Sequence, residues 1–435
     1  MNSRELLKNC LEHRSGRVPF DIGGTTVTGM HISCVAGLRD YYGLEKRPVK
    51  VCDPYQMLGH LDRDLLDVIG VDTIGIFPRN TMFGFPNENW KEWRTPWGQE
   101  VLVAGDFNVK NDGNYVYIFP EGDMSVEPSG RMPENGFFFD TIVRQPPIDE
   151  AKLDPTDNLE EFGPISDEDL NHFKTEVEKA VQADRGVVVG LSGTAFGDIA
   201  LIPAPFLKHP KGIRDISEWY MTTAIRQDYV HAIFSRQIEL VIENLTKIYA
   251  VVGDNIDVVS LCGTDFGTQN GNFCSPATFD TLWLPYYKRM NDWIHENTNW
   301  KTFKHSCGAV ENFMPHFIDA GFDIINPVQC SAAGMDASLL KQRYGDRLTF
   351  WGGGVDTQRV LPFGTPAEVR ENVLRQCEIF SPRGGFVFNT VHNVQAKTPI
   401  QNIVAMIDAI KEFNGQMRFD KHIKKPHMTS VKQHV

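Results

Sequence analysis

No apolar run in the chain approaches the roughly 20 residues needed to cross a bilayer, which excludes an ordinary membrane-spanning helix. The opening MNSRELLKNCLEHRSGRVP is charged and amphipathic and lacks the apolar centre of an export signal, so a cytoplasmic protein is expected. Positive charge is in deficit: 43 Lys and Arg against 56 Asp and Glu leave a net −13, which argues against nucleic acid as the main partner. Cysteine is scarce. Eight in 435 residues are too few for a disulfide scaffold and fit reduced thiols, some of them free to hold a metal. What remains is an ordinary globular composition, 41% hydrophobic and 23% charged, long enough for one large α/β barrel or two medium domains.

A strand-then-helix rhythm runs through most of the sequence. Candidate strands are VPFDI (18–22), TIGIFP (73–78), GVVVGLSG (186–193), DVVSLCGTD (257–265), KTFKHSC (301–307), DIINPVQC (323–330), LTFWGGG (348–354) and FVFNTVH (386–392). Several are continuous apolar runs, as expected of strands buried on both faces. Helical stretches lie between them, such as 275–298 with Ser275 as N-cap and Pro276 at the first helical position, and 365–380. Eight strands with helical crossovers predict a single α/β domain over 1–416, a (β/α)8 TIM barrel. Residues 79–150 break the rhythm, being rich in Gly, Pro, Asn and aromatics, with a hairpin signal at Asn111-Asp112-Gly113. They read as a β-hairpin-rich insertion after the second strand, either a lid or partner surface or a structural decoration. Residues 417–435 read as a flexible charged tail.

In such a barrel, chemistry collects at the C-terminal ends of the strands. The fifth candidate strand ends in His305 and Cys307, and residues two apart on a strand point to one side. The sixth ends in Cys330, the seventh leads to Asp356, and the eighth ends in His392. Thiolates and imidazoles converging at one mouth suit zinc. A lone His-x-Cys is weak evidence, since buried cysteine is common and a single histidine usually satisfies a local hydrogen bond. The remaining cysteines, 10, 34, 52, 262, 274 and 377, read as structural, including Cys10 and Cys34 with His13 and His31 three residues away. Polar residues near the strand ends complete the candidate site. Asp265 and Asp356 are candidate acid/base groups, and Asp21, Asp198 and Gln269 candidate substrate contacts. Each aspartate also fits a helix cap or turn.

The segments RVPFDIGG (17–24), HSCG (305–308), FWGGGVD (350–356) and FNTVHNVQAKTPIQNIVAMIDAI (388–410) together resemble the uroporphyrinogen decarboxylase superfamily over nearly the whole chain outside 79–150 and the tail. Its cobalamin-dependent methyltransferases carry zinc on a His-x-Cys at strand five and a Cys at the end of strand eight. His305 and Cys307 match the pair, and His392 stands where the last Cys is expected. The similar cobalamin-independent methionine synthases place a Glu ligand near the position of Cys330. The resemblance therefore implies a ligand set of His305, Cys307, Cys330 and His392. The arginine-rich opening of the true decarboxylases is missing from RVPFDIGGTTVTG (17–29), although their active site also holds a His in the NTVHN context. There is no Asp-x-His-x-x-Gly run of the kind that holds cobalamin, so the cobalamin is expected on a partner corrinoid protein.

The expectation is thus a zinc methyltransferase moving a methyl group between cobalamin and a small molecule. One direction is O-demethylation of a methoxylated aromatic, and the other is methylation of a thiol by methylcobalamin. The aromatics of the 79–150 segment (Phe83, Phe85, Trp90, Trp93, Trp97, Phe137, Phe138, Phe139) fit either a flat substrate or a small core of that segment. A metal-free lyase acting on a tetrapyrrole is an alternative that needs Arg131, Arg144 and Arg214 over the mouth. A non-catalytic binding barrel is another. A homodimer is a candidate assembly.

Overall fold

The computed structural model describes residues 1–416; the tail expected at 417–435 lies outside the described residues. Seven strands form one parallel sheet. In spatial order they are Thr73–Ile76, Gly186–Gly190, Val258–Cys262, Lys301–His305, Ile324–Asn326, Thr349–Trp351 and Phe386–Val387. The spatial order is the chain order, each neighbour in parallel register, for example Phe303 with Ile324 and Ile324 with Thr349. The sheet curls as in a TIM-like barrel. The segment around Phe20 lies between its two edge strands. Asp21 N donates to Phe388 O (2.9 Å), Phe388 N to Pro19 O (2.8 Å), and Asp72 N to Phe20 O (2.7 Å). This segment makes a single bridge, Phe20 to Phe388, and no ladder. Pro19 has no N–H to give, and Gly23 turns the chain away at φ 87°.

The barrel interior shows why these runs are apolar. Val188, Val258, Phe303, Ile324, Trp351 and Val387, one from each of six strands, pack together with Leu7, Cys10 and Leu11 of the helix Ser3–Leu11. That helix is pinned by an ion pair from Arg4 to the buried Asp257 (2.8 Å) and plugs the barrel at the end where the strands begin. The opposite end is left for chemistry.

The expected helix at 275–298 is two: Pro276–Leu282, capped by Ser275 accepting from Thr278 N (3.1 Å), and Leu284–Asn297. Pro285 lacks the N–H that would continue the first helix, so the ladder breaks at Trp283. Outside the barrel stand two small sheets. One holds Val109–Asn111, Tyr115–Ile118, Gly130–Pro133 and Asp140–Thr141, all antiparallel, with Asn111-Asp112-Gly113 in the first turn. The other joins Lys91–Arg94 and Glu100–Val103 to Val49–Asp53 and Leu58–Gly59. This layer therefore draws on residues before the Thr73 strand as well as after it. Phe83, Phe85 and Phe139 are fully buried with Phe107 and meet edge-on, with ring centroids of Phe83 and Phe139 6.0 Å apart. They form the segment's own core. No helix among the described residues is long and apolar enough to cross a membrane.

Candidate metal centre

Ligand atoms of His305, Cys307 and His392 lie within 4.8 Å of one another. His305 is the last residue of its strand, and its Nε2 is 3.3 Å from Cys307 Sγ. Gly308 follows with φ 85°, where a Cβ would meet the backbone of Gly267 and Thr268 at 2.5 Å. The glycine lets Cys307 turn inward while Ala309 N bonds Thr268 O (2.8 Å). His392 comes from further along. The last strand ends at Val387, and the chain reaches His392 through a loop that holds it at φ 68°. The His305 and His392 rings meet edge-on, 5.2 Å between centroids.

Asn326, absent from the sequence reading, orients the first ligand. Its Nδ2 donates to Trp351 O (2.7 Å), which fixes the amide so that Oδ1 faces His305 Nδ1 at 2.5 Å. His305 thereby carries its proton on Nδ1 and turns the lone pair of Nε2 toward Cys307. A carbonyl oxygen on the far nitrogen of a ligating histidine is the usual support for a metal. His392 fits less freely. Its Nδ1 accepts from Asn393 N (2.8 Å), and ligation through either nitrogen requires that contact to loosen.

The electrostatics favour a cation. Burial lowers His305 to about 4 and His392 to about 3, the latter helped by His305 itself, so both imidazoles are neutral at physiological pH. Burial, then the neighbouring Asp265, pushes the Cys307 thiol well up. Asp265 accepts Cys307 N at 2.7 Å, lies 4.0 Å from His305 Nε2, and is itself raised by burial. Asp198 is raised by burial, with Asp265 adding, to about 7. Two neutral imidazoles, a thiol and two carboxyls gather at one place, where a divalent ion would reverse the upward shifts of the thiol and carboxyls and keep the imidazoles neutral. The donor set suits zinc in its catalytic form, three protein ligands and one position for substrate or water.

Cys330 stands outside this group. The reading that carried its strand to 330 is corrected: the strand ends at Asn326, because Pro327 cannot donate to a ladder. Asn326, not Cys330, occupies the strand end. The charges acting on Cys330 are Asp336, Arg375 and Asp356, whereas those on Cys307 are Asp265, Lys304 and Asp198. Asp356 uses Oδ1 to accept from Gln358 N (2.7 Å) and Arg359 N (2.9 Å), shaping a turn. Asp21 is fully buried and binds Thr73 Oγ1 (2.5 Å), Gly24 N (3.0 Å) and Trp351 Nε1 (2.8 Å), linking the first and sixth strands of the sheet from inside. Gln269 is exposed, donating to Ser331 O (2.6 Å) and accepting from Gln329 (2.8 Å) and Gln358 (3.1 Å). Cys10, Cys34 and Cys377 are buried and Cys52 and Cys274 partly so; none joins the ligand group, and the side chain of Cys262 lies outside the described residues.

Comparison of the sequence with curated proteins gives no match. Among solved structures, a methyltransferase from Methanosarcina mazei is similar in fold: TM-score 0.51 at 16% identity, covering 95% of this chain and 99% of that one. A β-glycosidase from the hyperthermophile Thermosphaera aggregans superposes only at TM-score 0.35 and 12% identity, over 81% of this chain and 86% of its own, and carries no argument. The sequence model for uroporphyrinogen decarboxylase (URO-D) matches residues 144–413, which hold the sheet from Gly186 onward and all three candidate ligand residues. Since that match covers more than half of the sequence, the chain belongs to the uroporphyrinogen decarboxylase family.

Proposed function

We propose that this protein is a zinc-dependent methyltransferase that removes a methyl group from a small methoxylated compound and passes it to cobalamin on a partner corrinoid protein. The observation that carries this reading is the meeting of His305, Cys307 and His392 at the C-terminal mouth of the sheet. Bound there, zinc would supply Lewis acidity to an ether oxygen, and one thiolate with two neutral imidazoles leaves it more acidic than a thiolate-rich set. The same count favours ether cleavage over methylation of a thiol. The chain's own part is to hold the site. Asn326 sets the His305 tautomer, Asp265 fixes the Cys307 backbone, and Asp198, raised by burial to about 7, packs its carboxyl against Gly263, two residues before Asp265. Asp356 and Gln269 shape the loops around the mouth, and Asp21 braces the sheet beneath it.

The 79–150 part of this layer is proposed as a cover or partner surface beside the mouth. Arg144 donates to Ala204 O (2.7 Å) and Lys208 pairs with Glu121 (2.9 Å), which ties the layer to the loop that follows Asp198. A tetrapyrrole decarboxylase is disfavoured because the arginines it needs are engaged. Arg214 is fully buried and paired with Glu161 (3.1 Å), Arg144 serves backbone carbonyls, and Arg131 lies over Tyr115. A substrate bearing many carboxylates would find no free cation among these three.

The test combines metal analysis with a cobalt(I) corrinoid and a panel of methoxylated aromatics and thiols, followed by cobalamin absorbance. About one zinc per chain is expected, lost in His305→Ala, Cys307→Ala and His392→Ala but kept in Cys330→Ala. A wild-type protein that binds no zinc and demethylates no ether would refute the reading.

A further inference from the structure

One buried polar group on the side of the Asp265 loop has no hydrogen-bond partner among the described residues. Tyr220, on the helix Ile216–Ile225, carries a hydroxyl that is buried and makes no hydrogen bond among the described residues. A buried hydroxyl normally finds a partner, and an exception calls for a cause. The ring is stacked on Phe273 with centroids 4.6 Å apart and planes 14° from parallel. Phe273 is 38% exposed, so the stack has one buried end and one open end. Phe273 N donates to Phe266 O (2.9 Å), next to Asp265, which accepts from Cys307 N (2.7 Å), so the stack stands on the loop that carries Asp265. Of Asp198, Oδ1 is engaged by Ala200 N (3.0 Å).

We propose that Tyr220 is the hydrogen-bond donor to the ether oxygen of an aryl methyl ether whose ring lies against the Phe273 stack. This rests on the demethylation reading above. In the step, the methyl C–O bond breaks and its electron pair stays on the oxygen. The cobalt(I) of the partner's corrinoid supplies the pair for the new bond to carbon. The aryl oxide, held by the Tyr220 O–H, takes a proton from water on release. A donor with no competing partner among the described residues meets the charge that develops on that oxygen without first breaking another hydrogen bond.

The test is Tyr220→Phe, which keeps the stack and removes only the hydroxyl. With zinc-loaded protein, cobalt(I) cobalamin and a series of ring-substituted anisoles, kcat/KM is expected to fall about 30- to 100-fold, chiefly in kcat. The loss should grow with the pKa of the phenol released, which a merely structural role would not produce. Zinc content and Tm should stay at wild-type values. A second arm needs no loaded enzyme: fluorescence titration of metal-stripped protein with 2-methoxyphenol should show roughly 5- to 10-fold weaker binding in the variant. Unchanged affinity there, or wild-type kcat/KM with an unchanged leaving-group trend, overturns the proposal. If the wild type cleaves no ether, the demethylation reading fails and the binding arm alone decides the role of Tyr220.

Discussion

Asn326 is one side chain whose removal should be felt at the metal without touching it. Its Oδ1 accepts from His305 Nδ1–H, and its Nδ2 donates to Trp351 O. Asn326→Leu keeps the volume and deletes the acceptor, and zinc affinity is expected to drop about 10- to 100-fold in competition with a chromophoric chelator. Unchanged affinity would show that the ring needs no such anchor. Protonation gives a second prediction at this scale. His305 and His392 titrate at about 4 and about 3, so near neutral pH they have no proton to lose on binding zinc. Cys307, pushed above its usual range, still holds one. Zinc affinity should therefore rise with pH by about tenfold per unit between pH 6 and 8, one proton released per ion. Calorimetry in buffers of different ionisation enthalpy counts that proton, and a count near three would contradict the neutral imidazoles.

At the scale of elements, the site depends on how two strands end. The His305 strand stops where Gly308, at φ 85°, brings its Cα against the Gly267–Thr268 backbone. Gly308→Ala adds a Cβ 2.5 Å from that backbone and strains a left-handed residue. A loss of about 1–3 kcal/mol in urea unfolding is expected, together with weakened zinc binding, because Cys307 moves with the loop. A variant that loses neither would mean the loop has slack that the close contact does not suggest. The neighbouring strand stops at Asn326 because Pro327 follows, and that stop decides which residue faces the ligands. The break at Trp283 has the same origin: a proline two residues on withholds a backbone donor, and one expected element becomes two.

For the whole molecule, the barrel is plugged at one end by the helix Ser3–Leu11 and open to chemistry at the other. The three candidate ligands come from a strand end and from a loop beyond the last strand, 85 residues apart in sequence, 307 to 392, so an ion would link the middle of the sheet to its closing edge. Binding to the folded chain alone stabilises it by mass action, about 4 kcal/mol at a thousandfold excess over Kd. Scanning calorimetry should show Tm rising with zinc and falling with a chelator in the wild type, and neither change in Cys307→Ala. A Tm insensitive to zinc in the wild type would mean that the three side chains do not hold the ion in the folded state.

The sequence by itself determined the class of fold and the core of the site. Buried strands announce themselves by unbroken apolar runs such as GVVVG (186–190), and His305 with Cys307 share a side because a strand repeats every two residues. These are local properties, written in neighbouring letters. What lay beyond was decided by contacts between distant segments. Cys330 and Asn326 both sit in one candidate strand, and only its true end, set by Pro327, separates the ligand support from the bystander. Asp21 resembles a mouth residue in sequence, yet it is a brace, because Thr73 and Trp351 happen to fold onto its two oxygens. Tyr220 carries no motif at all. Its meaning lies in a missing partner, and whether a hydroxyl has a partner is a property of three-dimensional packing.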